Sequence, residues 1–212
     1  MRNGDTLLIA REASEAAKGA RVAILNMASE FRPGGGVRKG ANAQEESLFL
    51  RTDLVACLDG TQYPLQGKVG YTSGVQVVAT DADGPLPDKM RTLFKVDVVS
   101  AAAIKEPKTS DQWTYSINAD AAYTEELIDA IFRTAHAHGA RHLVLGAIGC
   151  GAYRNPAGAV ARMFAIALYE KGWLEKFDRV YFAVMERGYG QQLGPLGTVF
   201  QDAFEEAGKS GK

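Results

Sequence analysis

The chain has 212 residues, of which 46% are hydrophobic and 23% charged, and a formal net charge of −1. That is the make-up of one globular domain with an ordinary core, and it excludes a broad electrostatic grip on nucleic acid, although a shaped nucleotide pocket needs only a few backbone donors. No apolar stretch reaches the ~20 residues of a membrane span, and the start lacks the hydrophobic segment of a signal peptide.

Cys57 and Cys150 are too few and too scattered for a disulfide framework or a metal-spaced pair. A reducing, cytoplasmic setting is expected, with no metal and no cofactor.

Taken in order, residues 6–18 have helical composition, with Leu7, Leu8, Ala16 and Ala17 apolar and Lys18-Gly19 as a stop. Arg21 to Met27 reads as a buried strand. It runs into Gly34-Gly35-Gly36 and then into a helix predicted over Ala43 to Leu58, with a core stripe of Leu50, Leu54, Cys57 and Leu58. Asn42 is a natural N-cap. Glu45, three residues later, reads as the acid of a capping box.

Gly60 to Gly67 is predicted as a loop. Lys68–Thr72 and Val75–Thr80, separated by Ser73-Gly74, read as a hairpin, and Asp81 to Asp88, with Gly84, Pro85 and Pro87, as a second loop. Leu93 to Ile104 returns to strand, and the polar run Lys105 to Asp120 reads as a long loop. Tyr123 to His138 is an amphipathic helix, and Arg141 to Ala147 a buried strand that opens into Ile148-Gly149-Cys150-Gly151-Ala152-Tyr153. Pro156 starts a helix with the stripe Val160, Met163, Phe164, Ala167 and Leu168. Val180 to Met185 is a last strand, Pro195 to Ala207 a closing helix, and 208–212 a fraying tail. The alternation predicts a single α/β domain over 1–207, with a mixed sheet covered by helices on both faces.

Chemistry concentrates at two strand ends. Glycine-rich loops before helices let backbone N–H groups approach an anion closely, so the pair could grip a pyrophosphate; each loop alone could equally be a sharp turn. Neither is a Walker loop, and neither matches Gly-x-Gly-x-x-Gly. Glu46 has less structural reason than Glu45. It lies four residues before Leu50 and eight before Leu54, on the face turned toward the protein, where it would line a cleft; compensation of the helix dipole is the other explanation. Cys150 has no adjacent activating residue and reads as a small packing residue. His136, His138 and His142 do not share a face, so a metal site there is disfavoured.

These motifs resemble those of the bacterial-type poly(ADP-ribose) glycohydrolases. The resemblance rests on Gly34-Gly35-Gly36, seven residues, then Gln44-Glu45-Glu46, together with Leu25–Ser29, Tyr63-Pro64-Leu65 and Leu145–Tyr153. It implies a three-layer α/β/α macrodomain-like fold that binds ADP-ribose. Asn26, Gly34, Gly35, Gly36, Val37 and Gln44 would bind substrate from one side. Gly149, Cys150, Gly151, Ala152 and Tyr153 would bind it from the other, and this loop and Gly34–Gly36 together would hold the diphosphate and distal ribose. Glu46 would protonate the leaving group of the ribose–ribose bond, and Glu45 would help to position the ribose.

The resemblance further implies a monomer acting on ADP-ribose or poly(ADP-ribose) attached to proteins, with no membrane or sequence-specific nucleic-acid partner. Arg32 stands where relatives often have Asn, and Arg154 replaces a small residue, either adding phosphate contacts or narrowing the pocket. A mono-ADP-ribosyl hydrolase and a non-catalytic ADP-ribose-binding module are the alternative functions.

Overall fold

The first strand explains the layering. In β1 (Val22–Met27) every residue from Val22 to Asn26 is buried. Val22 and Ile24 pack into one hydrophobic cluster and Ala23 and Leu25 into another, so both faces of the strand are covered, as befits a parallel sheet. The computed structural model describes residues 1–58, 63–80, 93–186 and 192–210.

Five strands form the sheet in the order β2-β3-β1-β6-β7, with β2 (Gly70–Val77) antiparallel at one edge. The others, β3 (Phe94–Ala101), β6 (His142–Leu145) and β7 (Arg179–Phe182), run parallel with β1 through adjacent partners. On one face α1 (Thr6–Ala16), α2 (Gln44–Arg51) and α3 (Leu54–Cys57) contribute Leu7, Ala10, Leu48 and Leu54. On the other lie α4 (Asn118–Ala137), α5 (Ala157–Tyr169) and α6 (Pro195–Ser210), packed through Ile131, Phe132, Phe164 and Phe200. A mixed sheet between two helical layers is the expected architecture.

Because β1 and β6 are neighbours and parallel, the segments that follow them open at the same edge of the sheet. The start of the chain is fixed beside that edge. The Arg2 N–H donates to the Phe182 carbonyl, and the Arg2 carbonyl accepts from Val184 N–H. Asn3 donates its side-chain amide to the carbonyls of Glu186 and Gln192 and accepts the Glu186 N–H. Asp5 then caps α1 by accepting the Leu7 and Leu8 N–H groups, each at 3.0 Å.

Several local expectations are corrected. The helix predicted over 43–58 is two. The Thr52 hydroxyl donates to the Leu48 carbonyl at 2.7 Å and accepts from Leu54 N–H, while Asp53 accepts both the backbone and the side-chain amide of Gln76 on β2. The sheet edge thus recruits the two residues that a continuous helix would need. Leu50 is 50% exposed, and the core stripe runs through Leu48 and Leu54.

The hairpin predicted at 68–80 is one strand. Ser73-Gly74 forms a bulge within it, and the Gly74 N–H is held by Asp97 at 2.8 Å. The predicted loop 105–120 contains a small hairpin, β4 (Thr109–Asp111) and β5 (Thr114–Tyr115), and α4 starts at Asn118, not Tyr123. Helix α6 takes in Gly208 to Ser210, which were expected to fray. The loop predicted at 81–88, residues 60–62 of the predicted Gly60–Gly67 loop and the last two residues lie outside the described residues. Among the described residues no helix is long and apolar enough to cross a membrane.

Candidate active site

Helix α2 begins where a tertiary clamp fixes it. Gln44 accepts the Met27 N–H at 2.9 Å and donates to the Leu25 carbonyl at 2.7 Å and the Thr6 hydroxyl at 3.2 Å. The clamp ties the helix start to the end of β1 and to α1. The N-cap is Ala43, so Glu46 occupies the N3 position and accepts the Ala43 N–H at 3.1 Å. Alanine has no side-chain acceptor, so only this half of a capping box exists. Asn42 is exposed and does not cap. The capping acid is therefore Glu46, where the sequence pointed to Glu45.

Both carboxylates are buried, Glu45 to 3% and Glu46 to 6% exposure. The glycine loop supplies their partners. Glu45 accepts the N–H of Ser29 at 2.7 Å through Oε2 and that of Gly34 at 3.1 Å through Oε1, with the Tyr63 hydroxyl 3.5 Å from the same Oε1. Glu46 Oε1 accepts the Gly36 N–H at 2.9 Å.

The expectation that Gly34–Gly36 faces phosphate is corrected on this point. Two of its N–H groups serve carboxylates, and the third, that of Gly35, bonds the Arg32 carbonyl. Gly35 closes directly over the acids, at φ +52°; a Cβ there would lie 2.7 Å from Glu46 Oε1 and 2.8 Å from Glu45 Oε2.

Burial pushes the Glu45 carboxyl up to about 7, against the opposing pull of the Ser29 and Gly34 N–H groups, and the nearby Glu46 charge adds to the rise. Between the ordinary 4.5 and about 7 the folded protein keeps a proton on Glu45 that the unfolded chain has released. This contribution to stability is complete below the unfolded value and is lost as pH rises through that window, by up to about 3 kcal/mol. The unfolding free energy of the protein minus that of its Glu45→Ala variant, from urea titrations between pH 4.5 and 7.5, is expected to fall with pH. A rising difference would refute the protonated folded state.

The two acids open onto a cleft of about 740 Å³ at the C-terminal edge of the parallel strands. One wall is Met27–Ser29 with Ala43–Ser47, and the facing wall is Ala147–Gly149 with Gly151–Tyr153. Thr6, Ala183–Met185 and Leu196 line it further along. Among the described residues, the backbone N–H groups of Gly149, Gly151, Ala152 and Tyr153 meet no protein acceptor, so this loop, unlike Gly34–Gly36, has donors to spare for an anion.

Its shape is held by the buried amide of Asn155, which donates to the carbonyls of Ile104 (2.7 Å), Gly149 (3.2 Å) and Tyr153 (3.3 Å). Its Oδ1 accepts the Tyr115 hydroxyl at 2.8 Å, and the Thr124 hydroxyl donates to the Tyr115 oxygen in turn. Burial, with the Glu45 charge second, raises the Tyr153 hydroxyl above its ordinary value.

The predicted site residues therefore divide. Glu45, Glu46, Gln44, Gly149, Gly151, Ala152 and Tyr153 line one cleft. Asn26 is fully buried behind it, with its amide on the Ser100 hydroxyl and beside Glu45. Val37 begins a 3-10 turn (Val37–Lys39) outside the lining. The Cys150 side chain turns away toward the Ile148 carbonyl, and burial pushes its thiol up to about 12.

The three histidines diverge: His138 stacks on Tyr71, His136 meets Trp173 and Phe177, and His142 is buried in β6. Asn155, Ser29 and Tyr63 were not singled out as site residues. Asn155 had a local signal, an amide closing a glycine loop just before Pro156.

The geometry has counterparts among known proteins. A family model described as the microbial-type PARG catalytic domain matches residues 1–72. The poly(ADP-ribose) glycohydrolase of Thermomonospora curvata, solved with the inhibitor ADP-HPD bound, is 31% identical with a TM-score of 0.81, over 95% of this chain and 77% of that one. The poly(ADP-ribose) glycohydrolase of Deinococcus radiodurans, solved in complex with ADP-ribose, is 26% identical with a TM-score of 0.77, over 96% and 82%. No curated protein sequence matches the chain. With a fold shared over nearly its whole length at this identity, the chain belongs to the bacterial poly(ADP-ribose) glycohydrolase family.

Proposed function

We propose that the protein hydrolyses the ribose–ribose O-glycosidic bonds of poly(ADP-ribose) and releases ADP-ribose. The observation that carries this reading is the pairing, across one cleft, of two buried carboxylates with a loop whose backbone donors are unspent. The diphosphate of a bound unit lies on the Gly149–Tyr153 loop, and its ribose lies against Glu45 and Glu46.

Glu46 gives its proton to the leaving ribose oxygen as the glycosidic C–O bond breaks. The positive charge that develops on the ribose carbon is stabilised by the adjacent diphosphate. Water then adds to that carbon and returns a proton to Glu46. Glu45 orients the ribose hydroxyls. Both acids come from a single helical turn, so this is not the opposed pair of carboxylates used by most glycosidases. The substrate polymer is proposed to be protein-attached, and the enzyme to act as a monomer.

The test is incubation with labelled poly(ADP-ribose) and, separately, with a mono-ADP-ribosylated protein. Free ADP-ribose is expected from the polymer. Binding of ADP-ribose without release from either substrate would remove the hydrolase reading, and release from the mono-modified protein alone would replace the polymer as substrate.

A further inference from the structure

The loop that covers the acids carries a second feature that the cleft does not use. Phe31 is 62% exposed, and Arg32, Arg38 and Lys39 on the same segment are exposed as well. Among the described residues none of the three cations has a carboxylate within 4.0 Å. The acid on the same loop is the partly buried Glu30. An exposed phenyl ring and three exposed cations do nothing for the core, and their position is specific. The Gly36 N–H lies on Glu46, and the next residue begins the turn that ends in Arg38 and Lys39.

We infer that Phe31, Arg32, Arg38 and Lys39 form a subsite for the part of the polymer that lies beyond the scissile bond. The inference rests on the poly(ADP-ribose) reading above. The loop is bonded to Glu46 through the Gly36 N–H, so in this inference the group leaving from Glu46 passes over it. In a polymer that group is another ADP-ribose unit, with a doubly charged diphosphate and a flat adenine. Exposed cations and an exposed aromatic ring on one short segment match that chemistry, as in surfaces that hold single-stranded nucleic acid by charge and stacking. A mono-ADP-ribosylated side chain presents no such unit, so the subsite favours polymer over single modifications.

The experiment measures binding in the Glu46→Gln background, which suppresses turnover, using long poly(ADP-ribose) chains and free ADP-ribose at about 50 and 200 mM salt. The triple variant R32E/R38E/K39E is expected to weaken polymer binding about 10²-fold at the lower salt and to flatten its salt dependence, and F31A to weaken it about tenfold. ADP-ribose binding stays within about twofold in both, which also reports that the variants are folded. Equal losses for polymer and ADP-ribose, or no loss for polymer, would overturn the subsite. So would single-stranded DNA of matched charge competing as well as polymer. Hydrolysis of polymer with no effect of these residues on binding removes the subsite alone. Residue-dependent polymer binding in a protein that cleaves nothing removes only the hydrolase reading.

Discussion

Glu46→Gln is expected to lower kcat on poly(ADP-ribose) by about 10³-fold while ADP-ribose affinity changes by no more than a few-fold. A positioned general acid and base is worth about 10²–10⁴ in rate, and in this proposal one carboxyl does both jobs. Glutamine keeps the shape, and its oxygen can still accept the Gly36 N–H that Glu46 accepts at 2.9 Å. The amide nitrogen then faces the Ala43 N–H, now held at 3.1 Å, so one capping bond is lost, at about 1 kcal/mol of stability. The measurement is single-turnover release of ADP-ribose beside a titration with ADP-ribose. Full activity in the variant would remove Glu46 from the chemistry. A parallel collapse of binding would make it a substrate-holding group only.

Gly35→Ala is the second large effect, and it acts on both acids together. At φ +52° an L-residue is already strained, by about 1–2 kcal/mol. The added Cβ also comes within 2.7 and 2.8 Å of two carboxylate oxygens. Those oxygens cannot simply swing aside, because the N–H groups of Ser29, Gly34, Gly36 and Ala43 hold them. Misplacement by such a distance is worth about 10²-fold in rate, so kcat should fall by that order, with about 1–3 kcal/mol lost in stability. Gly40→Ala is the control. Its φ is +77°, but a Cβ there meets open space, so it should lose stability and keep kcat. Equal kinetic damage from both substitutions would mean that backbone strain alone, and not the displaced acids, is responsible.

Much of this arrangement was legible in the residues because strong periodicities specify it. Val22–Met27 reads as a strand buried on both sides, and the stripe from Val160 to Leu168 places α5. Adjacent parallel strands then put both glycine loops at one edge. The division of labour between the acids was not legible. Asn42 is the better N-cap by type, yet the helix starts one residue later, because Gln44 is clamped to Leu25, Met27 and Thr6, groups remote in sequence. That single-residue shift exchanges the structural roles of Glu45 and Glu46.

Glu46 does not owe its burial to a shared face with Leu50, which is exposed; it is buried because of the glycine loop that closes over it. The bulge at Ser73-Gly74 has the same origin. Its signal was two turn-forming residues, and what decides it is the distant carboxylate of Asp97.

The tether at the start of the chain bears on how the enzyme comes into being. Arg2 pairs beside Ala183 and Asn3 beside Glu186, so these two residues find their places only after β7 exists. A nascent chain that has emerged through Glu46 carries both acids and the glycine loop, but no Gly149–Tyr153 loop to face them and no Met185 or Leu196 to line the cleft. Contacts of such long range make for slow folding from partial chains. Glycohydrolase competence should therefore arrive in one step once the residues through α6 have been made, which a translation arrested before Val184 and one continued through α6 would separate.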